Sequence, residues 1–194
     1  MTSRLGLKAP AELDAEGKAF YDMIIDYLKN KNGGQVPHRN IRGDGALLGP
    51  FGVHQATPSV GTHFHGLGSA VEQVPGLSQR YREIAVLTVA SRYQTPYAIN
   101  SHLAMATAAG LSRAEIDMLL DKNAPDNFTS DDQLVHSAAY ALIYGAGSMP
   151  EAIWTQLLER FGIDGTKHLV HLVGFYSYLM TVLNGFGVEL PEKQ

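Results

Sequence analysis

Apolar residues recur at helical spacing along most of the chain. The first periodic segment predicts an amphipathic helix, whose apolar face consists of Phe20, Met23, Ile24, Tyr27 and Leu28. Asp14 and Glu16 are near its start, where the helix dipole favours negative charge. The residues that follow are rich in Gly, Pro and Asn and have no sustained period. Residues 11–52 are therefore predicted to form an N-terminal helix and an irregular crossing.

Two helices are predicted to meet head to tail in the middle of the chain. Residues 78–93 present a continuous apolar face. Thr95 then occupies an N-cap position and Pro96 the first helical position of a second helix, which Gly110 ends. Ser112 and Glu115 form a capping box that opens a short helix to about residue 120. The sequence thus predicts a helical core over 78–120.

The remaining segments are also helical in pattern. Glycines interrupt the helical pattern of residues 53–74, which indicates short helices or close backbone approach. Three helices are predicted within 130–186, and the last, over 166–183, is apolar nearly all round, which is typical of burial inside a bundle or across a subunit interface. Strand-like alternation is absent from the pattern. The prediction is a single all-α domain over 1–194 with about seven to nine helices.

Composition and charge exclude several function classes. The 194 residues carry a formal net charge of -4 and no basic cluster, which argues against a nucleic-acid partner. There is no cysteine, so disulfides, thiolate catalysis and cysteine-ligated metals are excluded. The most apolar stretch, 168–184, is too short and interrupted for a membrane span, and residues 1–17 lack a signal-peptide core. We expect a soluble, cytoplasmic protein.

Two residues in the predicted core could carry acid–base chemistry. Glu83 lies beside the apolar face of its helix, where it is either a desolvated carboxylate or a surface carboxylate paired with Arg80 one turn earlier. His102 lies on a helix of small apolar residues, and a lone histidine in that setting is more often a satisfied core residue than a catalyst. Taken singly, neither residue indicates an active site.

The segments around these two residues resemble a known superfamily. Residues 80–90 and 97–102, followed by 109–112 and Glu115, are similar to the core of the carboxymuconolactone decarboxylase and alkylhydroperoxidase D-like superfamily. Residues 48–54 with Pro58 resemble its upstream segment, and 172–176 with Phe186, Val188 and Pro191 its closing helix and tail. The resemblance implies an all-α bundle that assembles as a homo-oligomer, commonly a trimer or hexamer, and needs no metal or organic cofactor.

The resemblance also assigns roles by position. The peroxidase branch uses a Glu, a Cys-x-x-Cys pair and a His as a proton relay that activates a thiol. Here the Glu matches Glu83, the His matches His102, and the two cysteines fall on Thr95 and Ala98. The acid–base half is present and the redox half is absent, so disulfide-type peroxidase activity is not implied. The family instead implies a decarboxylase or isomerase, with Glu83 orienting His102 toward a small unsaturated, carboxylated lactone or ring compound of aromatic catabolism.

Thr95 and Ala98 are candidates for substrate binding, and four further residues join them. His54 lies in the segment that packs near the active site in related folds, and its alternative is a helix-surface histidine. Tyr93 and Tyr97 bracket the turn before the His102 helix and could form a wall, or could simply pack. Arg80 could anchor a substrate carboxylate, although such an arginine is more often solvated.

The other histidines do not predict a metal site. His63 and His65 are two residues apart, and on a helix they would point to different sides. His168 and His171 are one turn apart without an acidic partner, and are interpreted as core-edge or interface residues. Two other functions stay open: a cysteine-independent oxidoreductase or peroxidase-like enzyme, and a non-catalytic protein that binds a small molecule.

Overall fold

A computed structural model describes residues 3–36 and 40–190. Over these ranges the chain forms a 3-10 turn at Pro10–Glu12 and eight α-helices, and its only strand-like pairing is an isolated bridge between Ile41 and Leu47. The helices are α1 (Ala15–Lys31), α2 (Gly49–Gln55), α3 (Pro58–Gln73), α4 (Gln79–Tyr93), α5 (Pro96–Ala108), α6 (Arg113–Leu120), α7 (Ser130–Tyr144) and α8 (Glu151–Gly185). The all-α prediction is confirmed. Pro191 and residues 37–39 of the predicted crossing lie outside the described residues.

The chain divides into two compact units. The first comprises Met1–Gly68 and Val182–Gln194, and the second comprises Ser69–Thr181. That 1–194 forms a single domain stays a prediction. None of the helices in the described ranges has the length and apolar character needed to cross a membrane.

The first unit is built around α1. Asp14 is the N-cap of this helix, where its side chain accepts a hydrogen bond from the Gly17 amide at 2.8 Å. The core cluster of this unit consists of Phe20, Ile24, Leu28 and Leu47. Three of these residues belong to the apolar face that the sequence predicts, so the first helix is confirmed.

The predicted crossing ends earlier than the sequence indicates. Residues Gly49–Gln55 form α2, although Gly49 and Pro50 have the composition of a loop. Proline is tolerated in the first turn of a helix because its missing N–H has no intrahelical partner there. Close backbone approach is confirmed at Gly61 of α3, where a Cβ atom would lie 2.7 Å from the Phe20 ring and 2.8 Å from the His54 carbonyl oxygen.

The second unit is organised around α4. Ser78 is the N-cap of this helix, and α4 packs against α5, α6 and α7. All nine residues from 83 to 91 are buried, so the helix is enclosed on all sides and not only along the predicted apolar face. A polar side chain in this stretch is therefore held away from water.

The turn between α4 and α5 has the helix-starting residues that the sequence predicts. Gln94 adopts a left-handed conformation with φ of 49°, Thr95 is the N-cap of α5, and Pro96 lies in its first turn. Gly110 follows α5 with φ of 88°, a value that suits glycine at a helix C-terminus. The capping box of Ser112 and Glu115 is confirmed. The core predicted over 78–120 therefore has the right helices in the right order.

Helix α8 is interrupted near its middle. Gly162 has non-helical dihedral angles, with φ of 64° and ψ of -176°, so that α8 consists of two helical segments. The second segment covers the predicted last helix. One side of this segment is buried, and Val170 and Tyr178 are exposed on the other side. A helix whose sequence is apolar nearly all round is therefore buried on one side only.

Candidate active site

Glu83 and His102 lie side by side in the second unit. Nδ1 of His102 is 2.8 Å from Oε2 of Glu83. Both side chains are buried, with relative exposures of 2% for Glu83 and 6% for His102. A carboxylate and an imidazole in hydrogen-bonding contact inside a protein core form a pair that can hold and pass a proton.

The local fold explains this contact. Glu83 is on α4 and His102 on α5, two helices that pack against each other across a short turn. Within α5 the positions of Thr95, Ala98 and His102 differ by three and four residues, so they share one side of the helix. All three residues are buried. The side of α5 that carries His102 therefore also carries the two positions where the peroxidase branch has cysteines.

Two further side chains contact the pair. Nε2 of Gln79 donates a hydrogen bond to Oε1 of Glu83 at 2.6 Å. The ring of Tyr176 meets the His102 ring edge-on, with 5.0 Å between centroids. Neither residue was singled out from the sequence. The spacing of four residues between Gln79 and Glu83 could have indicated the first contact, whereas the second depends on tertiary packing.

The geometry specifies how the imidazole can act. If Glu83 is ionised, its Oε2 accepts the proton-bearing Nδ1 of His102, and this contact fixes the tautomer. Nε2 is then the nitrogen that can take a proton from a substrate or return one to it. The alternative in which Glu83 is a surface carboxylate paired with Arg80 is wrong, because Glu83 is buried and bonds to His102 and Gln79.

Known proteins are similar to this chain in two respects: a family model matches its central segment, and solved structures share its fold. Residues 58–141 match the model of the carboxymuconolactone decarboxylase family. The structure is similar to the alkylhydroperoxidase AhpD core of an uncharacterised peroxidase-related protein from Ralstonia eutropha JMP134, with a TM-score of 0.75 and 16% identity over 99% of this chain and 94% of that chain. It also resembles a protein of unknown function from Agrobacterium tumefaciens, described as a candidate antioxidant defence protein AhpD, with a TM-score of 0.64 and 16% identity over 72% of this chain and 96% of that one. The segment 58–141 is therefore similar to this family, and the chain shares the fold of the AhpD-like structures.

A third similar structure extends the range of reactions among the neighbours. It is the debrominase Bmp8 in complex with 2,3,4-tribromopyrrole, with a TM-score of 0.65 and 9% identity over 93% of this chain and 90% of that chain. The comparison with curated proteins gave no match. Identities this low show the shared fold alone, so the reaction of this protein has to be argued from its own residues.

The guanidinium of Arg80 is hydrogen-bonded to oxygens of the protein. Its Nε and Nη2 contact both carboxylate oxygens of Asp132 at 3.0 and 3.2 Å. Nη2 also contacts Glu115 at 3.2 Å, and Nη1 donates to the Gly110 carbonyl at 2.8 Å. The hydrogen bond to Asp132 raises the pKa of Arg80. Protein oxygens contact all three of its nitrogens, and substrate binding by Arg80 stays a prediction.

Thr95 is buried without a hydrogen-bond partner for its hydroxyl group. The residue has no exposed surface, and although it is the N-cap of α5 its side chain does not cap the helix. Its Oγ1 lacks a partner within the described residues. A buried hydroxyl in this state costs about 1–3 kcal/mol. The observation is compatible with a hydroxyl that bonds to a ligand.

The two tyrosines flank this part of α5. Tyr93 is half-buried at the end of α4, and Tyr97 is buried in the first turn of α5, beside Ala98. Tyr97 is buried next to Ala98, a position where the peroxidase branch has a cysteine, and this is consistent with a wall of the site. A role for Tyr93 and Tyr97 in substrate binding stays a prediction.

His54 belongs to the first unit. Its side chain is buried, its Nδ1 lies 2.8 Å from the carbonyl oxygen of Pro50, and its ring stacks on Phe64 with 4.3 Å between centroids. Burial lowers the pKa of His54, so Nδ1 of the neutral ring donates the hydrogen bond. The alternative of a helix-surface histidine is wrong, and substrate binding by His54 stays a prediction.

The remaining histidines separate into exposed and buried members. His63 is exposed, while His65 is half-buried, so the two point to different sides of α3 as predicted. His171 is exposed and His168 is buried in the second unit, where burial lowers its pKa. No group of three or more histidine or acidic side chains that could hold a metal ion occurs in the described part of the chain.

His65 is enclosed by an aromatic cluster of the first unit. The rings in contact with it are those of Phe20, Tyr27, Phe51, His54 and Phe64. Burial, with a smaller effect from His54, lowers the pKa of His65 from 6.5 to about 4. The folded protein therefore keeps this ring neutral at a pH where the unfolded chain protonates it.

We expect His65→Phe to reduce the acid sensitivity of folding. As the pH falls from 6.5 toward 4, the unfolded chain gains a proton that the folded state does not, so wild-type stability declines over this window. The decline attributable to His65 is about 2 kcal/mol at pH 5. Urea unfolding at pH 7 and pH 5 should show a smaller difference in the variant. The control is His63→Phe, an exposed position, and equal acid sensitivity in both variants would contradict this assignment.

Proposed function

We propose that the protein is a cofactor-independent lyase or isomerase that uses Glu83 and His102 for acid–base chemistry. Its substrate in this proposal is a small unsaturated carboxylated lactone or ring compound. The observation that carries the proposal is the buried hydrogen bond of 2.8 Å between Nδ1 of His102 and Oε2 of Glu83. The match of residues 58–141 to the carboxymuconolactone decarboxylase family supports it, and the absence of cysteine removes the thiol route.

The proposed reaction begins and ends at Nε2 of His102. In an isomerisation, Nε2 removes a proton from a carbon next to a carbonyl group, and the electron pair of that C–H bond enters the conjugated system. The resulting imidazolium is stabilised by the adjacent Glu83 carboxylate. The same proton is then returned to another carbon of the conjugated system. In a decarboxylation, Nε2 first takes the proton of the substrate's carboxylic acid group. The C–C bond to that group then breaks, carbon dioxide leaves with no electrons from the bond, and His102 returns the proton to the carbon.

The side of α5 that carries His102 also carries Thr95 and Ala98, and we propose that these two residues select the substrate. Ala98 is small and buried, so it leaves space where the peroxidase branch has a thiol. Thr95 offers a hydroxyl that has no partner in the described structure. We infer that this hydroxyl bonds to an oxygen of the substrate, such as a lactone carbonyl or a carboxylate, because binding would satisfy a group that has no partner among the described residues.

Thr95→Val is expected to weaken substrate binding while stabilising the free protein. Valine has nearly the same shape and lacks the hydroxyl, so the unfolding free energy should rise by up to about 1 kcal/mol, whereas KM should increase about tenfold. Thr95→Ser is the matched control and should keep a KM close to the wild-type value. A destabilised Val variant with unchanged KM would contradict the proposed contact.

An exchange assay tests the function itself. The protein is incubated in deuterated water with a panel of unsaturated lactone acids and cyclic keto acids, and carbon-bound deuterium and released carbon dioxide are followed by NMR. The proposal expects at least one compound to incorporate deuterium at a single carbon. A compound that reacts with His102→Ala as fast as with the wild type would contradict the assigned pair, as would a panel in which no compound reacts.

The comparisons also favour a second candidate function. Two of the similar structures are described as peroxidase-related and as a debrominase, so a cysteine-independent oxidoreductase remains the alternative. In that case the panel would show a substrate oxidised or reduced without exchange at carbon.

A homo-oligomer, as a trimer or hexamer, is part of the main proposal. The exposed apolar side chains of Ile163, Val170 and Tyr178 on α8 support it.

A further inference from the structure

Both oxygens of the Glu83 carboxylate are engaged by nitrogen atoms. Oε1 accepts a hydrogen bond from Nε2 of Gln79 at 2.6 Å, and Oε2 lies 2.8 Å from Nδ1 of His102. The side-chain amide nitrogen of glutamine can only donate. A proton on Oε1 would therefore point at another donor, and a proton on Oε2 would require His102 to accept through Nδ1.

The position of Gln79 suits a role in orienting the carboxylate. It is the first residue of α4, one helical turn before Glu83, and the Ser78 side chain caps this turn. The body of Gln79 is exposed, whereas Glu83 is buried. The amide thus links the buried carboxylate to an exposed residue, and its hydrogen bond takes an acceptor site on Oε1 that water could use.

We propose that Gln79 is a positioning residue that holds Glu83 ionised and as an acceptor on both oxygens. His102 then carries its proton on Nδ1, and Nε2 is free to act first as a base. The catalytic part of this inference rests on the proposed function, because it assigns the first proton transfer to removal from the substrate. The tautomeric part concerns the resting protein and needs no substrate.

The tautomer of His102 can be measured directly. Protein with nitrogen-15 in its histidine rings is examined by NMR at neutral pH, and His102→Gln identifies the signals of this ring. We expect wild-type His102 to carry its proton on Nδ1. We expect Gln79→Leu to show a mixture of tautomers, because the carboxylate loses its fixed orientation and water reaches Oε1. Gln133→Leu is the matched control, an exposed glutamine on α7, and should give the wild-type spectrum.

A second variant tests the donor character of the amide. Gln79→Glu keeps the shape of the side chain and places a carboxyl group against Oε1 of Glu83. Two carboxylates in contact cannot both ionise easily, so they should share one proton at neutral pH. Infrared spectra should then show a protonated carboxyl band that is absent in the wild type and in Gln133→Glu. Two ionised carboxylates with an unchanged His102 tautomer would overturn the inference.

The kinetic consequence is separable from the structural one. With a responding substrate, Gln79→Leu should lower kcat about tenfold and leave KM nearly unchanged, which is the pattern of lost orientation rather than lost binding. A wild-type ring protonated on Nε2, or a Gln79→Leu ring with the wild-type tautomer, overturns the inference whatever the kinetics show. If the tautomers change as expected but His102→Ala retains full activity, the proposed function fails while the role of Gln79 in holding Glu83 stands.

Discussion

Replacing His102 with alanine is expected to lower the turnover of a responding substrate by about a hundredfold or more. The imidazole is the only group of the buried pair that can both accept and return a proton through Nε2 while Glu83 binds Nδ1. Its removal leaves a buried carboxylate that can still bond to Gln79. Initial rates at saturating substrate, measured by deuterium incorporation at carbon, provide the test.

Glu83→Gln is expected to have an effect of similar size for a different reason. The amide has the shape of the carboxylate and can occupy the same space, but it carries no charge to stabilise the imidazolium formed when Nε2 takes a proton. Turnover should fall about a hundredfold with little change in KM, because the charge matters only after proton transfer. Circular dichroism should show that both variants keep the helical content of the wild type.

The control for both substitutions is His171→Ala. His171 is exposed on α8, so its loss should leave turnover at the wild-type rate. The assignment would be wrong if the His102 and Glu83 variants also turned over a confirmed substrate at that rate. A loss of the same size in all three variants would point to a general effect on folding rather than to the pair.

Helix boundaries could be predicted wherever a local signal defines them. Asp14, Thr95 and Ser112 are N-caps in the structure, and Gly110 follows the end of α5. These signals depend only on neighbours within one turn, so the sequence contains them completely. The start of α2 was missed because glycine and proline serve in loops and in the first turn of a helix alike.

The contacts of the site could be predicted only in part. Positional correspondence with a family motif placed Glu83 opposite His102, and the structure brings the two together. Periodicity could not show that residues 83–91 are enclosed on all sides, because burial of α4 depends on three other helices. It likewise could not show that Arg80 bonds to Asp132, 52 residues away in sequence. Contacts of this range are set by tertiary packing.

Arg80 links three helices through their first turns. It lies in α4, and its guanidinium contacts Glu115, which closes the capping box of α6, and Asp132, which closes that of α7. Asp132 is 1% exposed and Glu115 is 7% exposed. Both carboxylates would lose their cationic partner if the arginine were removed, and an uncompensated buried charge is strongly destabilising.

We therefore expect Arg80→Met to lower the free energy of unfolding by about 3 kcal/mol. Methionine retains most of the apolar stem of the side chain and removes the charged head group, so the change isolates the ion pairs. Urea denaturation should show a lower midpoint with an unchanged slope.

Arg113→Met provides a matched control for this stability effect. Arg113 also forms an ion pair, with Asp117 at 2.8 Å, but both side chains are exposed. Solvent screens a pair that is this exposed, so its removal should change stability little. Equal stabilities of the two variants, together with an increased KM in Arg80→Met alone, would support Arg80 as a substrate anchor. A large loss of stability in Arg80→Met with unchanged KM would instead establish that its charge joins α4, α6 and α7, and that a substrate carboxylate must be recognised elsewhere in the site.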